Sequence, residues 1–160
     1  MPEEDAEVLP LDPGPLVLVV DDELTHRSTV RRMVAALGYP VRSCRSGREA
    51  VRFLKAHLRA VRLLLADLAM QKMDGGELAE RARDLDPSLD VVLMASLGDT
   101  HVLELLPGYR DVPFLVKPVS LGALQVQLEA HLGAPPRTPY PPIRPLPTRT
   151  RRRTSGRHEV

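Results

Sequence analysis

Four residues of this chain follow apolar runs and could share one piece of chemistry. Asp21 and Asp22 follow Leu16–Val20, Asp67 follows Val61–Ala66, and Lys117 follows Val112–Val116. Each alone has an ordinary use. An acidic pair after a strand can start a helix, an Asp at a strand end suits a turn, and a Lys before Pro118 can be a solvated loop residue. Brought together, they would behave differently. Three carboxylates in one crevice repel one another unless a cation is present. Hard oxygen ligands from few protein groups suit Mg²⁺, which keeps several waters and accepts phosphate oxygens. Lys117 is one of three lysines in a chain with 19 arginines. A compact ammonium there differs from the planar fork used at most other basic positions.

The elements between these residues decide whether they can meet. Leu16–Val20 is apolar at every position, as in a strand buried on both faces of a parallel sheet. Val30, Met33, Val34 and Leu37 are spaced for one helix face, with Gly38 as a stop. Val41–Cys44 is a short, poor strand; after it Ser46 can cap a helix whose face holds Ala50, Val51, Leu54, His57 and Leu58. Val61–Ala66 is the next strand. A helix after Asp74-Gly75-Gly76 turns Leu78, Ala79, Ala82 and Leu85 inward and ends before Pro87. Val91–Ala95 is the fourth strand, residues 100–106 a short helix, and Val112–Val116 the fifth strand. Ser120 then caps a helix using Leu121, Leu124, Leu128 and Leu132, closed by Gly133.

Alternating strands and helices predict an α/β fold: a doubly wound, five-stranded parallel sheet with helices on both faces. Ligands of such sheets gather beyond the carboxyl ends of the strands, at a topological switch point. The three Asp and Lys117 all fall at strand ends, so the fold would bring them to one crevice.

These residues also resemble a family. Val-Val-Asp21-Asp22-Glu23, then Asp67-Leu-Ala-Met70-Gln71-Lys72-Met73-Asp74-Gly75, then Phe114-Leu-Val-Lys117-Pro118 are similar to a receiver domain of bacterial two-component response regulators. The intervals of 45 residues from Asp22 to Asp67 and 50 from Asp67 to Lys117 fit as well. The resemblance covers about residues 15–133. It implies that Asp67 is the phosphoacceptor, attacking a phosphohistidine on a histidine kinase or phosphotransfer protein. It implies Mg²⁺ held by Asp22, Asp67 and the backbone carbonyl of Ala69, with Asp21 acting through water. It further implies that Lys117 pairs with phosphoryl oxygens and that Phe114 is the rotameric aromatic switch. The output face would be formed by the fourth helix, fifth strand and fifth helix, and would bind an output protein that the sequence does not identify.

Two departures stand out. The family usually has Pro after the Met matching Met70; here it is Gln71, so fixing the loop costs more backbone entropy. The family also carries Thr or Ser at the end of the fourth strand. An ungapped reading puts Ala95 there and Ser96 one residue late, and a one-residue slip turns a strand side chain to the other face. Either the strand end is irregular and Ser96 supplies the switch hydroxyl, or the hydroxyl is missing.

Composition narrows the alternatives. The 160 residues suit one domain. The longest apolar run, Leu16–Val20, is far short of a membrane span. Met1–Asp12 is no secretory signal, and Cys44 alone makes no disulfide framework; the simplest setting is the cytoplasm. Five Phe and Tyr without Trp argue against an aromatic platform for single-stranded nucleic acid. The net charge of +1 conceals a division. Residues 134–160 hold seven Arg against Glu159, a net of +6, and residues 1–133 carry a net of −5. The expected organisation is a disordered acidic leader over 1–15, a receiver over 16–133 and a disordered Pro/Arg-rich tail over 134–160.

That tail is too short for a second domain, and no DNA-reading module follows the receiver. The expectation is therefore a stand-alone phosphoacceptor regulator, not itself an enzyme, acting through partners rather than by direct DNA binding. The basic tail could touch nucleic acid nonspecifically, or the acidic body. A pseudo-receiver that keeps the fold without phosphorylation is the main alternative, favoured by the doubtful hydroxyl. An aspartate-nucleophile phosphatase would want a second Asp two residues after Asp67, where Ala69 stands. The five histidines show no metal-ligand spacing; His57 reads as a core-edge residue and Cys44 as a small buried hydrophobe.

Overall fold

The computed structural model describes residues 15–100 and 111–136. Nearly all of the expected leader, most of the expected tail and the helix expected over 100–106, beyond Thr100, lie outside the described residues.

Five strands, β1 (Leu16–Val20), β2 (Val41–Cys44), β3 (Val61–Asp67), β4 (Asp90–Ala95) and β5 (Phe114–Val116), form one sheet in the order β2-β1-β3-β4-β5. Every pairing is parallel. Crossovers are required, and the described helices supply those from β1 to β4: α1 (Leu24–Ala36), α2 (Gly47–Ala56) and α3 (Gly75–Leu85), with α4 (Leu121–Leu132) closing the fold after β5. Strand order reverses between β1 and β3, which places the switch-point crevice at their carboxyl ends.

Strand alternation builds two cores. Leu16, Leu18, Val20, Leu64 and Ala66 face one side and pack with Ala50 and Leu54 of α2 and Leu78, Ala79 and Ala82 of α3. Val17, Val19, Leu63 and Leu65 face the other side and meet Val30 and Val34 of α1 and Leu124 and Leu128 of α4. All of β1 is buried, as its unbroken apolar run predicts. Fully burying each such Leu or Val is worth about 1.5–3 kcal/mol, so this double core is the frame on which the strand ends are held.

Ser46 and Ser120 cap helices as expected, and Asp74 is a further cap, at the start of α3. Ser46 Oγ accepts the Glu49 N–H at 3.1 Å, Asp74 Oδ1 that of Glu77 at 2.8 Å, and Ser120 Oγ that of Ala123 at 3.2 Å. Gly38 stops α1 with a φ of 92°.

Three local expectations need correction. β5 begins at Phe114 rather than Val112. Pro113 has no N–H to give a ladder, although its carbonyl still accepts from Leu93 N at 3.0 Å. Leu121 does not turn inward; it is 47% exposed at the first position of α4. His57 and Leu58 lie beyond the end of α2: His57 stacks on Phe53 with ring centroids 4.3 Å apart, and Leu58 is exposed. Cys44 is buried as expected, and burial pushes its thiol up to about 12.

Candidate functional site

The sheet gathers the four residues. Oxygen atoms of Asp21, Asp22 and Asp67 lie within 4.8 Å of one another. Lys117 Nζ sits 3.2 Å from Asp67 Oδ2 and 3.6 Å from Asp21 Oδ2. They arrive from the ends of three strands: Asp21 and Asp22 after β1, Asp67 as the last residue of β3, Lys117 just after β5. Backbone bonds hold the ends in step. Asp21 N bonds Cys44 O at 3.2 Å, Leu68 N bonds Met94 O at 2.8 Å, and Lys117 N bonds Ala95 O at 2.9 Å. The Lys117–Pro118 peptide is cis.

Asp21 is fully buried and Asp67 nearly so, whereas Asp22 is exposed. Burial opposes ionisation of Asp21. It is outweighed by the His26 bond, the Glu23 N–H and the Lys117 charge, which together hold the carboxyl below the usual range. Asp67 goes the other way. Burial and then the Asp21 charge push its carboxyl up, despite Lys117 and the Ala69 N–H. For Lys117, burial is overcome by Asp67 and Asp21, so its ammonium is held more firmly than usual. Burial, with the Asp21 charge added, thus makes the ionised Asp67 carboxylate unfavourable despite the nearby ammonium.

A divalent cation fits this oxygen set. The three carboxylates offer oxygens within 4.8 Å of one another, and a cation among them would relieve their mutual repulsion. The donors are hard oxygens, few in number, with Asp22 open to water, as suits an ion that keeps part of its hydration.

The loop from β3 to α3 is held tightly around the end of β3. Gly75 N bonds Leu68 O at 3.0 Å, and a Cβ built on Gly75 would stand 2.4 Å from the Asp67 carbonyl oxygen. Only glycine lets the backbone return this closely, so Gly75 is more than the loop feature that sequence suggests. Ala69, two residues on, is exposed, and its backbone N–H slightly favours the ionised Asp67 carboxylate.

The end of β4 is different. Ala95 is its last residue, buried and in register with Val116, while Ser96 lies past the strand and is exposed. Phe114 opens β5 and is 41% exposed. Two partners of Asp21 escaped sequence reasoning. His26 Nδ1 bonds Asp21 Oδ2, and an Arg27 guanidinium N–H donates to the Asp21 carbonyl at 2.8 Å. Both reach back from the first turns of α1, and no sequence spacing signals such a contact. Among the described residues, no helix is long and apolar enough to cross a membrane.

The comparisons with known proteins agree with this geometry. The profile of the response regulator receiver domain matches residues 17–129. The transcriptional regulatory protein ZraR of Escherichia coli O157:H7 is 32% identical over 119 residues, covering 73% of this chain and 26% of that protein. The chain therefore spans about a quarter of the length of that curated relative. A response regulator receiver protein from Pseudomonas putida superposes with a TM-score of 0.64 at 26% identity, covering 75% of this chain and 99% of that one. The receiver domain of NtrX from Brucella abortus gives 0.65 at 26% identity, over 72% and 97%. With a profile match across most of its length and an acidic crevice at the ends of a 2-1-3-4-5 sheet, the chain belongs to the response regulator receiver domain family of two-component signalling.

Proposed function

We propose that this receiver accepts a phosphoryl group on Asp67 from the phosphohistidine of a kinase or phosphotransfer protein, and that the phosphorylated form signals by binding an output protein. The observation that carries this reading is the placement of Lys117 Nζ 3.2 Å from Asp67 Oδ2, beside an oxygen cluster of three Asp. A carboxylate oxygen of Asp67 forms a bond to phosphorus as the donor's P–N bond breaks, and that electron pair leaves with the imidazole nitrogen. Asp67 and Asp22, with the Ala69 carbonyl, would hold Mg²⁺ directly, and Asp21 would act through water. The bound ion offsets charge on the transferring group. Lys117 pairs with the phosphoryl oxygens. His26, the Glu23 N–H and Arg27 keep Asp21 and the end of β1 in place. Burial and the Asp21 charge disfavour the free Asp67 carboxylate, so the site gains most when cation and ammonium are both engaged.

Phe114 is the proposed aromatic switch. The buried Ala95 at the end of β4 favours the reading in which no hydroxyl faces the phosphoryl group, with Ser96 outside that role. Coupling from Asp67 to Phe114 is then weak. The domain would occupy residues 16–133, flanked by the acidic leader and basic tail, in the cytoplasm. The stand-alone arrangement is part of the proposal, and the intact mass of the protein isolated from its own cells tests it. Phosphorylation is tested by incubating the protein with Mg²⁺ and a small phosphodonor and weighing it intact. An adduct on the parent and none on Asp67→Asn is the expected result. No adduct on the parent favours the pseudo-receiver, and an adduct on Asp67→Asn moves the acceptor elsewhere.

A further inference from the structure

Where the family usually has a proline, Gln71 keeps a backbone N–H, and that N–H donates to Asp22 Oδ2 at 3.0 Å. The bond joins the end of β1 to the loop after β3, across 49 residues of chain. We propose that the main-chain N–H of Gln71 is a positioning group for the cation site: it holds the exposed Asp22 carboxylate toward Asp21 and Asp67. This deepens the reading of the crevice as a Mg²⁺ site and rests on it.

Asp21 and Asp67 are fixed by burial and neighbours, but Asp22 is exposed and free of such packing. Facing two other carboxylates, it would be driven outward by repulsion. The Gln71 bond opposes that, and the bond and the cluster coexist in the structure, so the two are geometrically compatible. An ionised carboxylate offers about four acceptor directions. One spent on an N–H leaves others for a metal, and metal-binding carboxylates are ordinarily held by such outer hydrogen bonds. The loop in turn has its own reason to present the amide. Lys72 has a φ of 67°, and Met73 N bonds Gln71 O at 2.8 Å, so the chain makes a tight three-residue turn just after Gln71. A proline at 71 would stiffen the loop but would have no donor for Asp22.

The test is calorimetric titration of Mg²⁺ into the parent, Gln71→Ala and Gln71→Pro. Gln71→Ala keeps the N–H and is expected to match the parent. Gln71→Pro deletes it and is expected to bind Mg²⁺ about threefold to tenfold more weakly, below the usual outer-bond effect because the site is solvated. Replacing the Gln71 amide by an ester removes the N–H without a ring and should match Gln71→Pro. Amide exchange of the parent supplies a measurement free of substitution: the Gln71 amide is expected to stay protected when Mg²⁺ is saturating. Unchanged or tighter binding by both the proline and ester variants overturns the proposal. So does equal weakening in Gln71→Ala, or faster exchange of the Gln71 amide with Mg²⁺, which would make the bond a competitor of the ion. If the parent binds no Mg²⁺ at all, the cation reading itself falls and takes this proposal with it. Binding by the parent that is indifferent to the N–H removes this proposal alone.

Discussion

The carboxyl ends of β3 and β4 are neighbours in the sheet and differ sharply in chemistry. β3 ends in Asp67, buried, bonded to Lys117 and gathered with two further carboxylates. β4 ends in Ala95, buried and without a polar side chain, and the first hydroxyl beyond it belongs to the exposed Ser96. One strand end carries a charge arrangement that is costly unless it is used. Its neighbour carries only packing. On the proposed function, the difference separates two tasks: taking up a phosphoryl group, and transmitting that event to a surface residue such as Phe114. The first depends on a cluster that is complete here. The second depends on a hydroxyl that the β4 register leaves out of the buried position.

The largest effect is expected of Asp67→Asn, which should abolish the phosphoryl adduct in intact mass measurements. Lys117→Ala comes next. Removing an ammonium that faces the transferring group should slow adduct formation from a small phosphodonor by about 10- to 100-fold. A persistent normal rate would show that Lys117 serves only structure.

The β4 end is sharpened by adding what it lacks. Ala95→Thr is expected to leave adduct yield within about twofold and to enlarge the phosphorylation-induced shift at Phe114, while overpacking costs about 1–3 kcal/mol. Fluorophenylalanine labelling reads this directly, since Phe53 and Phe114 give two signals. No enlargement would mean that the switch is limited elsewhere. A smaller effect concerns stability without metal. Burial, then Asp21, raise the Asp67 carboxyl, so the folded form holds that proton more tightly than the unfolded chain does. Its ionisation costs nothing below the unfolded value of about 3.9, costs more as pH rises through the folded value, and costs fully above it. Denaturation of Asp67→Asn and parent should therefore coincide at about pH 3 and diverge in favour of Asn as pH rises toward neutrality. The smallest effect is expected of Ser96→Ala: stability within about 0.5 kcal/mol and an unchanged response at Phe114. A weakened response would return the hydroxyl role to Ser96.

Much of the fold was legible because its strands are short apolar runs and its helices carry caps. β1 is buried at every position, as its run of five apolar residues requires, and Ser46 and Ser120 cap where their spacing says. Legibility failed where a residue's fate depends on a neighbour distant in sequence. Leu121 has the right type and spacing for the core, yet at the start of α4 it is exposed. His26 carries no motif, but the first turns of α1 bring its ring to Asp21. The departure at Gln71 was visible as a lost proline. That its freed N–H meets Asp22 was not, because the partner lies on another strand.

By itself, the sequence determined the alternation of strands and helices, the residue types at the strand ends and the family they resemble, since periodicity and acidic punctuation are local properties. Tertiary structure decided the rest. It set which oxygens stand within reach of one another, how the two buried carboxyls divide in their hold on protons, and which neighbour occupies each spare hydrogen bond. Those outcomes depend on distances between strands that only the packed sheet fixes, and electrostatic energies there change with each ångström and with the water excluded.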